Sequence, residues 1–288
     1  MCATCGCSGS AVIWSPDAAG LPPDGLPPDG QPAAGNGARH DHDHDGHEHD
    51  GHEHDHGSGH DHQHEHGDDG RTVALQQKIL AKNDDLAELN REWLKERGIL
   101  AVNLMSSPGS GKTTLLERAG RELAGRLAVS VIEGDQETSL DAGRIRAAGC
   151  QVVQINTGAG CHLDAAMVAR ALRTLDPPAG SAVIIENVGN LVCPALFDLG
   201  EAARVVLASV TEGTDKPLKY PQMFRRADLV VITKTDLMPY VDFDAVRCGE
   251  YIGQVSPQAT MMHLSAVTGY GMDQWYDWLL SRSPVTAS

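Results

Sequence analysis

The stretch that decides the fold reads Ser106-Ser107-Pro108-Gly109-Ser110-Gly111-Lys112-Thr113-Thr114. It follows an apolar run at 99–105 and precedes a segment of helical character at 115–119. Strand, small-residue loop and helix in this order are typical of a P-loop, whose N–H groups and helix N-terminus converge on phosphate oxygens. The strict pattern begins with Gly, where this chain has Ser106. We predict that nucleotide is bound by Gly109, Ser110, Gly111, Lys112, Thr113 and Thr114, with Lys112 at the β- and γ-phosphates and Thr113 on Mg²⁺.

Beyond this loop, short β-branched runs alternate with helical patterns. The runs predict strands at 99–105, 129–133, 151–155, 182–186, 205–210, 229–232 and 260–263. This alternation favours an α/β fold, a P-loop NTPase with a mostly parallel seven-stranded sheet flanked by helices. Ligands of such sheets lie at the carboxyl ends of the strands. An amphipathic helix at 72–97, with Gly98 as its C-cap, would precede the first strand.

Composition excludes several classes of partner. The 288-residue chain has a formal net charge of -16, and the stretch 40–70 holds eleven Asp or Glu and no Lys or Arg. Nucleic acid is therefore not an expected partner, because phosphate backbones need a basic footprint. No apolar run approaches the ~20 residues of a membrane span, and no secretory signal is visible. The seven Cys do not form a disulfide pattern, so reduced thiols in a cytoplasmic protein are expected.

The segment before the P-loop domain has unusual composition. We divide the chain into a Cys motif (1–7), a Pro/Gly-rich linker (8–39), a His-rich disordered tract (40–70), an N-terminal helix (71–98) and the P-loop domain (99–288). The Cys motif contains Cys2, Cys5 and Cys7 beside the terminal amine. Thiolates and an amine so close together suit a soft or borderline divalent metal.

The tract at 40–70 interleaves His with Asp, Glu and Gly. Because it has no apolar surface to bury, we expect it to be disordered. Neutral imidazoles in such number bind Ni²⁺, Cu²⁺ or Zn²⁺, and the arrangement suits several labile ions better than one fixed site. The twelve residues expected to hold these labile ions are His40, His42, His44, His47, His49, His52, His54, His56, His60, His62, His64 and His66.

Two carboxylates follow predicted strands. Asp135 is placed to orient a Mg²⁺ shell or an attacking water, or else to cap the next helix. Glu186 ends the apolar strand 182–186, which is the Walker B arrangement with Glu in place of Asp. Gly189 resembles the glycine of a D-x-x-G switch, whose N–H senses the γ-phosphate. We predict catalytic roles for Lys112, Asp135, Glu186 and Gly189.

Two later loops resemble guanine-binding elements. Thr233-Lys234-Thr235-Asp236 is similar to N-K-x-D, with Thr in place of Asn. A carboxylate at Asp236 would accept hydrogen bonds from guanine that adenine cannot supply, and the Lys234 stem would pack over the base. Ser265 and Ala266 open a loop that would complete the base site.

Cys161, His162 and Cys193 form a second candidate metal site. Cys161 and His162 are adjacent, and Cys193 lies seven residues beyond Glu186. Two thiolates and an imidazole suit Zn²⁺ or Ni²⁺, and three ligands leave a position open or for a second copy of the chain to fill. Cys150 and Cys248 are expected to be core residues.

Together these motifs resemble the HypB family, the nickel-incorporation GTPases of hydrogenases within the HypB/UreG group. The most specific are Thr157–Ala165 (TGAGCHLDA) and Glu186–Ala195 (ENVGNLVCPA), beside the N-terminal Cys motif, the His tract and the P-loop. The resemblance implies a SIMIBI-class GTPase that forms a homodimer and delivers nickel to the large subunit of a [NiFe] hydrogenase, with HypA as a partner. It also implies a tight nickel site on Cys2, Cys5 and Cys7, and a nickel or zinc site at the dimer interface on Cys161, His162 and Cys193.

Three alternatives stay open from the residues. A urease-type nickel accessory GTPase shares the His-rich start and the P-loop, but the opening Cys cluster argues against it. A nickel storage or buffering protein would use the tract and make the GTPase domain secondary. A P-loop kinase acting on a small molecule is disfavoured by Asp236, and competition between GTP and ATP would decide that question.

Overall fold

A computed structural model describes residues 12–14, 67–135, 140–158 and 160–283. The motif formed by Cys2, Cys5 and Cys7 and the His tract both lie outside the described residues. The predictions made for them therefore stay predictions.

The described residues form one eight-stranded sheet in the order β1-β4-β3-β5-β2-β6-β7-β8. From β2 to β8 every neighbouring pair is parallel. This confirms the predicted fold class and its seven parallel strands. The strands are β1 Val12–Trp14, β2 Leu100–Ser106, β3 Val129–Asp135, β4 Gln151–Asn156, β5 Ala182–Glu186, β6 Ala203–Ser209, β7 Leu229–Thr233 and β8 Thr260–His263.

The linker assignment did not include strand β1. Val12–Trp14 pairs antiparallel with β4, and Ile13 lies opposite Ile155. Three β-branched or aromatic residues within a Pro/Gly-rich stretch are too short a run to predict a strand from alternation. The outer edge of β4 supplies the unpaired backbone groups that such a strand needs.

Eight α-helices are described. They are α1 Gly67–Glu96, α2 Lys112–Glu122, α3 Leu140–Ala147, α4 Ala165–Leu175, α5 Lys216–Lys219, α6 Pro221–Arg225, α7 Ala245–Val255 and α8 Met272–Arg282. Helix α1 begins earlier than predicted, at Gly67, so it includes the last four residues of the tract 40–70 that was expected to be disordered. Among the described residues, no helix combines the length and apolar character needed to cross a bilayer.

Helices cover both faces of the sheet because its strands are apolar on both sides. On one face α2 and α8 pack on the strands, with Leu115 and Trp275 fully buried. On the other face α4 and the end of α1 contribute Val168 and Leu94. Cys150 and Cys248 are buried, as expected of core residues. This packing leaves the carboxyl ends of β2, β3 and β5 as the place where loops and charged groups meet.

Candidate functional site

The P-loop joins β2 to α2 as predicted. Gly109 and Gly111 have φ of +73° and +100°, in the left-handed region that favours glycine. A Cβ on Gly111 would lie 3.9 Å from Cε of Lys234, so the loop at 233–236 passes directly over the P-loop. Helix α2 begins at Lys112, and its first N–H groups face the concavity of the loop.

Ser106 at the first P-loop position has a defined structural role. Its side chain is buried at the end of β2. Its Oγ accepts a hydrogen bond from Nζ of Lys112 at 2.8 Å and another from the Ser110 hydroxyl. The hydroxyl therefore holds the loop closed and fixes the lysine, a function that glycine cannot supply.

A polar cavity of about 490 Å³ opens over the P-loop. Its walls come from the P-loop, the ends of β3 and β5, and the start of α3. The predicted residues that line it are Gly109, Gly111, Lys112, Thr113, Thr114, Asp135, Glu186, Gly189 and Lys234. Ser110 is fully buried beneath the loop. The size and position of the cavity suit a nucleotide phosphate chain.

Two buried carboxyl groups lie at the base of this cavity. One oxygen of Glu133 and one of Glu186 have no hydrogen-bond partner among the described residues. Burial, followed by the charge of Glu186, raises the pKa of Glu133 to about 8. Burial likewise raises the pKa of Glu186 to about 7, although Lys112 opposes this rise. Such oxygens fit a divalent cation, whose charge would favour the carboxylate forms.

Sequence reasoning assigned no role to Glu133, Asp141 or Arg144, which also line the cavity. The Thr113 hydroxyl donates to Oδ2 of Asp141 at 3.0 Å, so a second acidic group stands beside the expected magnesium ligand. A Glu inside the apolar strand β3 was the available signal for Glu133. Asp141 opens a helix with an ordinary polar pattern, so nothing in the sequence distinguished it.

Lys216 is another residue that the sequence reading missed. It is almost fully buried, and its ammonium group donates to Ser107 of the P-loop and to Glu212. The i,i+4 spacing of Glu212 and Lys216 was the only local signal. Lys216 thus places a second ammonium group against the P-loop, with Glu212 balancing its charge. Burial lowers the pKa of the first, Lys112.

Gly189 lies against the P-loop, where a switch glycine is required. A Cβ at this position would lie 3.0 Å from Cγ and 3.2 Å from N of Pro108. Any side chain would therefore push the segment after β5 away from the P-loop. The geometry agrees with the predicted position of Gly189, and its catalytic role stays a prediction.

Thr233 stands where N-K-x-D has Asn, and it links the loop at 233–236 to the P-loop. Its hydroxyl donates to the Ser110 carbonyl at 2.7 Å. Lys234 follows with φ of +57°, a left-handed conformation that is uncommon outside glycine. Thr thus supplies a hydrogen-bond donor to the P-loop from a shorter side chain.

Asp236 has the properties of a base-reading carboxylate. Its Oδ1 is buried and accepts no hydrogen bond within the described part of the chain. Ser265 and Ala266 form the neighbouring loop, which Arg118 of α2 holds through the carbonyls of Ala266 and Val267, at 2.9 and 3.1 Å. These base-loop residues do not line the phosphate cavity but lie beyond its Lys234 wall.

The structure brings Cys161, His162 and Cys193 together. One ligand atom from each lies within 4.8 Å of the other two. Sγ of Cys161 is 3.6 Å from Nδ1 of His162, whose ring stacks on Phe197 with centroids 3.9 Å apart. Burial lowers the pKa of His162, and the charge of Asp164 opposes this shift only in part. The lowered pKa favours the neutral imidazole, which is the form that binds metals.

The cavity and this cluster share a segment of backbone. Glu186 ends β5 at the cavity, and Cys193 begins a single 3₁₀ turn at the cluster. Asn187 adds a cross-link, because its Oδ1 accepts from the N–H of Leu163 at 3.3 Å and from Val188 at 3.0 Å. The end of β5 is therefore connected to both loops that carry the three candidate metal ligands.

Comparison with known proteins shows which family the chain resembles. Residues 100–263 match a family model described as CobW/HypB/UreG, nucleotide-binding domain. Hydrogenase maturation factor HypB of Rhizobium leguminosarum bv. viciae is 54% identical over 209 residues, which is 73% of this chain and 70% of that protein. The Escherichia coli K12 protein of the same name is 51% identical and covers 73% of this chain and 72% of its own.

Solved structures of HypB proteins are also similar to this chain. HypB from Archaeoglobus fulgidus aligns with a TM-score of 0.66 and 42% identity, covering 70% of this chain and 98% of that one. HypB from Helicobacter pylori, crystallised in complex with nickel, aligns with a TM-score of 0.66 and 39% identity over 72% of this chain and 99% of its own. Both structures share the fold and much of the sequence of the P-loop domain.

Proposed function

The chain belongs to the HypB family, and from this premise we propose that it acts in hydrogenase maturation as a GTP-hydrolysing nickel metallochaperone. In this role it delivers nickel to the large subunit of a [NiFe] hydrogenase. Metal release is coupled to the GTPase cycle. The observation that carries the proposal is the segment Glu186–Cys193, which joins the nucleotide cavity to the three-ligand cluster.

The reaction is hydrolysis of GTP to GDP and phosphate. Water attacks the γ-phosphorus, and the bond to the β–γ bridging oxygen breaks. Lys112 stabilises charge on the transferring phosphoryl group, and Gly109–Thr113 hold the phosphates. Thr113, Asp135 and Glu186 would hold Mg²⁺, which neutralises charge on the β- and γ-phosphates. Asp135, which lines the same cavity, would also orient the attacking water.

Selectivity for guanine is assigned to Asp236. Its unpaired buried oxygen needs a donor, and guanine N1–H and N2–H supply two. Adenine would leave the carboxylate without a partner at a cost of about 1–3 kcal/mol. The Lys234 stem, Ser265 and Ala266 complete the base site. This assignment argues against the small-molecule kinase alternative.

The cargo site is assigned to Cys161, His162 and Cys193. Three soft or borderline ligands within 4.8 Å of one another suit Ni²⁺ or Zn²⁺. Val192 and Leu196, on either side of Cys193, are 51% and 46% exposed. Exposed apolar side chains beside an incomplete ligand set support a homodimer in which a second copy covers this face.

The N-terminal parts extend the proposal. Cys2, Cys5 and Cys7 would form the tight nickel site, and the tract at 40–66 would store labile nickel. HypA is the proposed partner for metal transfer, and the cytoplasm is the proposed location because the thiols must stay reduced. Helicobacter pylori has a relative named hydrogenase/urease maturation factor, 41% identical over 88% of that protein, so a urease-related role is the second candidate.

The test removes the phosphate-binding lysine. Lys112→Ala should abolish GTP turnover because the developing charge loses its cation, while nickel at Cys2, Cys5 and Cys7 stays bound. Lys95→Ala, at an exposed position near the end of α1, is the matched control and should turn over normally. Phosphate release and nickel content measured on the same preparations decide the outcome. Turnover by Lys112→Ala would make the P-loop assignment wrong, and full maturation activity in a turnover-dead variant would favour storage.

A further inference from the structure

Helix α1 touches both loops that carry the cluster ligands. Its buried face repeats at helical spacing, through Asn83, Ala87, Asn90 and Leu94. Two of these four are asparagines, only 6% and 5% exposed. Buried amides are retained at a free-energy cost unless their hydrogen bonds are made, so the partners of these two side chains define what α1 holds.

Asn83 spans the two loops by itself. Its Oδ1 accepts from the N–H of Ala165 at 2.9 Å, at the start of α4 and three residues beyond His162. Its Nδ2 donates to the carbonyl of Asp198 at 2.8 Å, next to the Phe197 ring that stacks on His162. One amide thus links the loop of Cys161 and His162 to the loop of Cys193.

Asn90 repeats the bridge about two turns further along the helix. Its Nδ2 donates to the carbonyl of Ala165 at 2.9 Å and to the carbonyl of Leu199 at 3.0 Å. The fit is tight here, because a Cβ on Gly200 would lie 2.5 Å from the carbonyl oxygen of Ala87. Gly200 has φ of +88°, so the loop approaches the helix as closely as glycine permits.

An ion pair strengthens the same contact from outside. The Arg91 guanidinium donates to both oxygens of Asp198, at 2.8 and 2.9 Å. Both contacts come from one nitrogen, Nη2, so they hold the Asp198 carboxylate at one point of the guanidinium. On the inner side, the Glu201 carboxylate accepts hydrogen bonds from the N–H of Leu199 and from Nδ2 of Asn103. Oδ1 of Asn103 in turn accepts one from Nδ2 of Asn187. The loop that α1 grips is therefore also connected to the residue that follows Glu186.

We propose that Asn83 and Asn90 are positioning residues for the three-ligand metal site, and that α1 clamps its two loops at the separation the metal needs. The inference rests on the proposed cargo site. Neither asparagine touches the metal ligands, so their contribution is pre-organisation. Without a bridge, the loop at Ala165 and the loop at Asp198 are no longer held together. Part of the free energy of metal binding is then used to bring the two loops to the right separation.

The experiment uses the full chain with Cys2, Cys5 and Cys7 replaced by Ser, so that thiolate-to-nickel absorption reports the inner site. Asn83→Ala and Asn90→Ala should each weaken nickel binding about 10-fold, in line with outer-shell residues of metal sites. GTP affinity should stay within about twofold. Gln77→Ala, which removes an exposed amide from the same helix, is the control and should bind nickel like the parent. Unchanged nickel affinity in both Asn variants would overturn the clamp.

Two further arms keep the outcomes distinct. Cys193→Ala should abolish the absorption, and persistence of the signal would overturn the cargo site and the clamp together. In the parent protein, which keeps both asparagines, nickel should slow amide hydrogen exchange across residues 80–95 severalfold. The reason is that coupling between metal binding and the helix is reciprocal. Equal exchange with and without nickel would contradict the clamp even if an Asn variant failed to fold.

Discussion

Single unpaired oxygens mark the places where ligands are expected. Asp236, Glu133 and Glu186 each have one buried carboxylate oxygen without a partner among the described residues. Burying such an atom costs about 1–3 kcal/mol unless something binds it. All three lie at or beside the proposed nucleotide site. Binding of a cation or a guanine base would therefore offset the free-energy cost of burying these oxygens.

The Asp236 carboxylate gives the sharpest residue-level prediction. Asp236→Asn replaces two acceptors by one acceptor and a donor, which clashes with the guanine N–H groups. GTP affinity should fall about 10- to 100-fold, and XTP, which presents a carbonyl at the same edge, should bind better than GTP. Competition titrations against a fluorescent nucleotide measure this change. Asp242→Asn, at an exposed position, should leave both affinities alone; a loss of GTP affinity without a gain for XTP would contradict the assignment.

Glu133 gives a pH prediction for the protein without nucleotide or metal. Its pKa is about 8 in the folded chain against an ordinary 4.5. Between these values the folded chain keeps a proton that the unfolded chain has lost, so stability falls as pH rises through this window and the penalty is complete above pH 8. Glu133→Gln, which cannot ionise, should raise Tm by several degrees at pH 8.5 and change it little at pH 5.

Thermal unfolding in EDTA is the measurement, with Glu250→Gln as the exposed control. The burial of Glu133 next to Glu186 is the physical reason for the effect. The interpretation fails if Glu133→Gln shifts Tm equally at both pH values.

At the scale of elements, the segment after β5 connects the proposed nucleotide site to the proposed metal site. Asn187 holds Leu163 next to the Cys161–His162 pair, and Gly189 rests on Pro108 of the P-loop. Movement of Gly189 on loss of the γ-phosphate would therefore displace both Asn187 and Cys193. The proposed coupling requires this segment to be a two-state element that both sites bias.

Asn187→Ala should weaken that coupling. The substitution removes the acceptor for Leu163 N–H while leaving the cluster ligands in place. The ratio of nickel affinities in the GTP and GDP states should shrink severalfold, with nickel affinity in the GDP state changing less. Nickel titrations in both nucleotide states measure the ratio, and Gln77→Ala serves as the remote control. A ratio equal to that of the unsubstituted chain would exclude the Asn187 route.

Regular elements were predictable from sequence because each depends on local patterns. Strands β2 to β8 follow from buried β-branched runs, and the P-loop from its spacing. The partners of Thr233, Asn83 and Lys216 were not predictable, since each contacts a residue far away in the chain. Strand β1 and the start of α1 were missed because neither has a strong local signal. Glu133 was overlooked because it is the last residue of the predicted strand 129–133, where a polar side chain is ordinary.

The proposed function combines a folded P-loop domain with an N-terminal segment rich in Cys and His, and the two should be separable. Deleting residues 40–66 removes twelve imidazoles and should lower the number of nickel ions bound, while GTP turnover stays within about twofold because no cavity residue is lost. Equilibrium dialysis gives the nickel stoichiometry. The storage role would be wrong if the shortened chain binds as many nickel ions as the full chain.

Coupling between nucleotide and cargo metal is the central claim, and one titration tests it most directly. Nickel binding at Cys161, His162 and Cys193 is measured in the full chain with Ser at positions 2, 5 and 7, once with a non-hydrolysable GTP analogue and once with GDP. We predict nickel affinities that differ at least about fivefold, the lower range for coupled sites. Affinities that agree within about twofold in the two nucleotide states would contradict the account.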